Sequence, residues 1–212
     1  MVRLYSSDRK VEMKSIGFLR FTFFASLLLS LSAGAQTSAW DIDPNHSTAE
    51  FTVRHLGISN VRGNFTKVSG VVELNEKNIT QSQVNAVIDV GSVDTRVADR
   101  DKDLRSANFF DVEKYPTIEF KSKRIVNRGG KLQLVGDLTM HGTTREVSLD
   151  VDNPAPEVND PWGNLRRGFS ASTTINRKDF GLTYNHALKT GEAVVGDSIK
   201  IQIDVELIKK KG

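Results

Sequence analysis

The stretch from Ile199 to Leu207 alternates without a fault. Ile199, Ile201, Ile203, Val205 and Leu207 fall on one side, and Lys200, Gln202, Asp204 and Glu206 on the other. A period of two puts apolar side chains on one face of a β-strand and polar ones on the opposite face, whereas a helical period would scatter both sets around a cylinder. The same alternation recurs through Ala49–His55, Val68–Leu74, Val84–Val90, Ile118–Val126, Leu132–Met140, Thr143–Val151 and Phe169–Ile175. With Ile199–Leu207 that predicts eight half-buried strands and an all-β fold. In the fourth segment the alternation reads Ile118, Phe120, Ser122, Arg124 and Val126 onto one face.

Turn signals such as Asn127-Arg128-Gly129-Gly130 and His141-Gly142 favour hairpins and antiparallel neighbours. One interruption is helical: Val97–Ser106 carries Val97, Arg100, Asp101 and Leu104 at helical spacing, and Tyr115-Pro116 stops any helix beyond it. Its Asp99, Asp101 and Asp103 lack the glycine and the terminal glutamate of a calcium loop. A solvated helix with internal salt bridges is therefore expected. Residues 153–162, with three prolines, read as a loop.

Eight antiparallel strands with one apolar face each close into a barrel or stack as a sandwich. Such a barrel is either filled by its own side chains or holds one small ligand. Ala49, Gly70, Ala86, Ser122, Gly136, Ala171 and Thr173 are small inward residues that leave space. Phe51, Phe109, Phe110, Phe120 and Phe169 are large ones that fill it. The pattern alone leaves both outcomes open. A membrane-embedded barrel would turn apolar side chains outward with aromatic girdles at both rims, whereas here the outer positions are Glu, Lys, Thr, Asp and Gln.

Ahead of the strands, Phe21–Leu31 is an apolar run of 11 residues, preceded by Lys14 and Arg20 and followed by Ala33-Gly34-Ala35. That order is a secretory signal peptide over residues 1–35, cleaved near Ala35 and too short to remain as a span. Translation starting at Met13 would give it ordinary length. One domain, residues 36–212, follows. The leader also holds the charge excess. The chain has 29 Lys and Arg against 26 Asp and Glu, of which residues 1–35 carry five and two, so 24 of each remain. The basic character thus gives no support for a nucleic-acid partner. There is no cysteine, which excludes disulfides and thiolate metal sites.

Chemistry-bearing residues are sparse. His46, His55, His141 and His186 form no spaced metal pair, and no nucleophile elbow is present, so neither a metal nor a catalytic residue is assigned. His46 reads as a turn residue. His55 shares the apolar face of Phe51 and Val53, as a hydrogen-bonded core histidine or as a polar contact at a pocket mouth.

Asp43-Pro44-Asn45-His46-Ser47, Phe51-Thr52-Val53-Arg54-His55-Leu56-Gly57 and Val61-Arg62-Gly63-Asn64-Phe65 resemble the opening of YceI-like proteins. Arg100-Asp101-Lys102-Asp103-Leu104, Phe109-Phe110-Asp111 and Tyr115-Pro116 resemble that family's central signature, although the family often has His in place of Lys102. Residues 136–142 and 176–182 complete the likeness, which spans Trp40 to Lys209. It implies an eight-stranded, lipocalin-like antiparallel barrel, exported to the periplasm, that binds polyisoprenoids or similar long amphiphilic lipids.

On that implication, an apolar tunnel is expected from Phe51, Val53, Ala86, Ile88, Phe109, Phe110, Phe120, Gly136, Leu138, Phe169 and Ile175. A pyrophosphate or quinone head would need donors at the mouth, for which His55, Arg62, Arg100 and Arg177 are candidates, with surface charge or local salt bridges as their plain alternative. No cofactor is required, and a bound isoprenoid lipid or quinone would be the ligand. Two other roles stay open: an enzyme acting on a lipid or quinone in the same pocket, and an accessory partner of a membrane electron-transfer complex. A homodimer is also left open.

Overall fold

The structure is a computed structural model that describes Met1 and residues 37–186 and 193–211. Apart from Met1, the leader and the Met13 start lie outside the described residues. Twelve strands follow one another: β1 (Thr37–Ile42), β2 (Thr48–His55), β3 (Ser59–Phe65), β4 (Val68–Asn75), β5 (Gln83–Asp89), β6 (Val93–Asp94), β7 (Thr117–Arg128), β8 (Lys131–Met140), β9 (Thr143–Val151), β10 (Val158–Asn159), β11 (Leu165–Asn176) and β12 (Val195–Lys209). The helix α1 (Ala98–Arg105) lies between β6 and β7. No helix among the described residues is long and apolar enough to cross a membrane.

These strands form a closed antiparallel barrel of eight staves, because six of them join in pairs. Along one edge β12 meets β2 with its first part and β1 with its last, so β1 and β2 are one stave interrupted at Asp43–Ser47. β4 pairs with β1 and β3 with β2, so these too are one stave, broken at Thr66–Lys67. β5 and β6 continue each other in the same way, since they pair with β4 and β3. β7, β8, β9, β11 and β12 supply the other five, the β11–β12 ladder closes the circle, and the two-residue β10 adds a short pairing to the start of β11.

The breaks have local causes. Pro44 has no N–H for a ladder, and the Asp43 carboxylate accepts from the Asn45 N–H to make a side-chain turn. Asp89 does the same for the Gly91 N–H. All eight predicted strands are present, but the count of eight staves is reached with β1, β3 and β6 added and merged.

Two predicted features differ. In β7 a bulge between Ser122 and Arg124 shifts the register against β8. An extra residue inverts the alternation after it. Ile125 therefore packs against the core, while Arg124 turns out and pairs with Glu146 at 3.1 Å. In α1 the internal salt bridges do not form. Asp101 is buried and accepts from the Thr95 N–H at 2.8 Å and the Thr95 hydroxyl at 2.6 Å. Arg105 donates to the carbonyls of Gly91 and Val93. These bonds fasten the helix to the barrel end.

The two-residue turns between β7 and β8 and between β8 and β9 hold positive φ at Gly129 (62°), Gly130 (89°), His141 (50°) and Gly142 (73°). This is the geometry that suits hairpins. The barrel is most thinly joined between β9 and β11. Their ladder holds Ala171 opposite Val151 and Ser172 opposite Asp150. Beyond it the seam continues through the Thr173 hydroxyl donating to the Ser148 carbonyl and Arg145 donating to the Asp179 carbonyl.

Candidate functional site

The inward faces of the staves enclose a cavity of about 190 Å³. Hydrophobic burial sets its chemistry. Ile42, Val68, Val84, Leu134, Met140 and Leu149 are buried in its wall, and Phe51, Phe110, Phe120 and Phe169 face it with part of their surface still accessible. One end of the barrel is sealed. Trp40 there is 0 % exposed, its indole N–H donates to the Ser38 hydroxyl at 2.8 Å, and Arg167 and Lys209 lie over its ring. The other end is covered by the segment that follows α1. Phe110 sits edge-on to Phe65 at 5.6 Å between centroids, and Phe109 sits against Tyr184 at 5.1 Å. Backbone N–H groups of Phe110, Asp111 and Val112 donate back to Leu104, Ser106 and Arg105, so this cover is a shaped turn.

Of the apolar residues expected to form a tunnel, Phe51, Val53, Ala86, Ile88, Phe109, Phe110, Phe120, Leu138, Phe169 and Ile175 line the cavity. Gly136 does not. A Cβ there would lie 2.4 Å from the Lys121 carbonyl oxygen and 2.6 Å from the Phe120 ring. Its missing side chain is what lets the Phe120 ring lie across β8 beside the β7 bulge, so Gly136 shapes the wall without facing the space.

The four head-group candidates are not brought together. Arg62 is exposed on the outer face of β3, because its neighbours Val61 and Gly63 take the inward parity. Arg100 donates to the hydroxyl and carbonyl of Thr95 and is not in the lining. His55 ends β2, opposite Ser59 and Val195, and also lies outside the lining.

Arg177 alone reaches the cavity, but it is 3 % exposed and its guanidinium is fully engaged. Nε donates to the Gly196 carbonyl, Nη1 to Leu182 and Tyr184, and Nη2 to Val195 and Asp197. A guanidinium has five N–H donors, so none is left for a ligand. Burial lowers its pKa and the Asp197 carboxylate opposes that. Its role is to tie the turn after β11 to the start of β12.

The remaining polar lining residues are Glu50, exposed on the outer face of β2, and Thr173, whose hydroxyl is committed to Ser148. The interior can therefore shelter an apolar chain and, among the described residues, offers no free donor to a polar head. An apolar cavity of about 150 Å³ holds a benzene ring. The 190 Å³ here gives room for roughly one or two five-carbon units before side chains must move.

A separate charged cluster stands outside the cavity. Asp43, His46 and Glu206 have ligand-type atoms within 4.8 Å of one another. The place a cation would take is held by Arg166, which donates to Asp43 at 2.7 Å, to Asp160 at 2.7 Å and to Glu206. Burial pushes the Asp43 carboxyl up, but hydrogen bonds from Arg166, His46 and the Asn45 N–H outweigh it and hold its pKa at about 2. The same guanidinium, with Asn164, holds Asp160 well below the usual carboxylate range against its own desolvation. His46, read as a turn residue, caps that turn through Asp43 at 2.8 Å.

Sequence reasoning missed Phe65, Leu104, Met140, Val147, Leu182 and Val195, which also line the cavity. The parity of Val61, Gly63 and Phe65 was the available signal for the first of these.

Comparison with known proteins places this geometry. The YceI-like domain matches residues 40–207. Protein YceI of Salmonella agona is 36% identical over 193 residues, covering 91% of this chain and 97% of its own. The crystal structure of the Campylobacter jejuni YceI protein superposes with a TM-score of 0.63 at 29% identity, over 74% of this chain and 90% of that one. A polyisoprenoid binding domain from Saccharophagus degradans superposes with a TM-score of 0.59 at 15% identity, over 82% and 99% of the two chains, a likeness of fold.

Proposed function

The chain belongs to the YceI-like family, and for this member we propose a lipid-binding function: it holds the apolar tail of a polyisoprenoid, or of a similar long-chain amphiphile, inside the barrel. The observation that carries this reading is the cavity itself, apolar around its wall, with Arg177 and Thr173 of its lining already bonded within the fold and Glu50 turned outward. Its fold is also that of a domain described as polyisoprenoid binding. Each buried methylene contributes about 0.8 kcal/mol, so even the enclosed fraction of a chain binds without any directional contact. The head then lies outside the barrel, in water.

The role is carriage or sequestration without turnover, in the periplasm, to which the leader pattern directs the chain. The lipid, an isoprenoid or a quinone with an isoprenoid tail, is cargo. Arg177 and Thr173 have no free group with which to act on it, which favours binding over an enzymatic use of the same space.

The test is a blocked cavity. Ala86 lines the cavity from β5, between Gly70 and Phe120 of the neighbouring strands. Ala86→Phe should lower loading of a single-chain isoprenol such as farnesol by about tenfold or more while far-UV circular dichroism stays that of a β-barrel. Undiminished loading in a folded Ala86→Phe protein would place the ligand elsewhere.

A further inference from the structure

Behind the main cavity, toward the end sealed by Trp40, lies a second apolar space of about 40 Å³. It is walled by Val72, Leu74, Ile125, Leu132 and Leu207, among others. Val84, Leu134 and Phe169 line both spaces. All three stand at inward parity, so together they form the partition between the spaces. Val84 and Leu134 are buried, at 8 % and 5 % exposure, and are fixed in the wall. Phe169 is half-buried although its strand turns it into the barrel, and it is the largest of the three.

We propose that Phe169 is the residue that sets how long a chain the barrel accepts. This rests on the lipid-binding reading above. The far end offers no exit, since Trp40 and Leu207 are almost wholly buried there. A tail directed toward that end therefore stops at the Phe169 ring. Each further methylene stays outside in water and forgoes about fourfold in affinity. Without the ring the two spaces join, and the tip of the chain can advance to the side of Leu74 and Leu207.

The experiment titrates the full chain, as wild type, Phe169→Ala and Phe169→Leu, with prenol, geraniol and farnesol, each one isoprene unit longer than the last. Displacement of an apolar fluorophore reads the binding. Wild-type affinity should rise with length and then level off. In Phe169→Ala it should keep rising past that point, gaining about tenfold or more for the next homologue. Phe169→Leu, which keeps most of the packing and guards against loss of fold in the alanine variant, should fall between them. The same levelling-off length in wild type and in both variants would overturn the proposal and leave lipid binding intact. Failure of the wild type to bind any of the three alcohols would overturn the lipid-binding reading, and this inference with it.

Discussion

The two ends of the barrel are built on different principles. At the sealed end Trp40 is fully buried, flanked by Leu74 and Leu207 at 4 % and 1 % exposure, with Arg167 and Lys209 laid over its indole. At the covered end Phe109 and Phe110 are half-buried, and what holds them is a turn of backbone hydrogen bonds following α1. Close packing resists any opening short of unfolding, whereas a segment fastened by local bonds can open at a fraction of the global free energy. The sealed end therefore carries stability, and the covered end is the one through which a ligand would pass.

The largest effect expected from this contrast is at Trp40. Trp40→Ala removes a fully buried aromatic and should lower unfolding stability by about 3–5 kcal/mol, read from urea denaturation. A loss under about 1 kcal/mol would mean that the sealed end is not the stabilising half.

Arg177 lies on the covered side but is buried and saturated with carbonyl partners. Arg177→Lys keeps the charge and loses the planar fork, stranding several of those carbonyls at a cost of about 2 kcal/mol. Hydrogen exchange should accelerate in residues 181–186 and 195–197, while affinity for an isoprenol stays within about twofold. A large loss of affinity at preserved protection would restore Arg177 as a ligand contact.

Acid separates the ends in another way. Asp43 is held at about 2, below its ordinary value of 3.8, so its ionised form favours the folded state. That contribution is full above about pH 4 and is lost as pH falls toward 2. Urea midpoints should decline through this window in the wild type and decline less in Asp43→Asn. Equal slopes would show that Asp43 adds nothing to acid stability.

The smallest effect on stability should come from Phe109→Ala, under about 1 kcal/mol, since the side chain is half-buried on a locally held turn. Its consequence is kinetic: release of a bound isoprenol should quicken by about tenfold, measured by stopped-flow displacement. An unchanged release rate would move the exit away from this end.

How far the sequence could be read follows the same divide. Staves with unbroken alternation, such as β8, β9 and β12, were legible because burial on one face imposes a period of two. β1 and β3 were not, because each carries only two large apolar residues at inward parity, Trp40 and Ile42 in the first and Val61 and Phe65 in the second, too few to show a period. The Asp43–Ser47 corner and the Thr66–Lys67 break interrupt the period before it accumulates. The β7 bulge was invisible for a related reason: one extra residue flips the parity, and Arg124 and Ile125 exchange faces. The strand part of the expected lining followed parity, apart from Gly136, whose Phe120 contact comes from across the β7–β8 ladder, whereas Leu104 and Leu182 lie off the strands and gave no such signal. The polar candidates could not be placed. Whether an arginine is free or satisfied depends on carbonyls that only the fold brings near, as Arg177 shows with Leu182, Tyr184, Val195 and Gly196.

On the lipid-binding proposal, the apolar interior is occupied in the working protein. Native mass spectrometry of the protein, purified from its own cells without detergent, decides whether it is. A folded species should appear carrying a discrete mass that leaves as a long-chain amphiphile on collisional activation and is diminished in Ala86→Phe. Protein that is reproducibly empty, and that stays empty after incubation with farnesol, would contradict it.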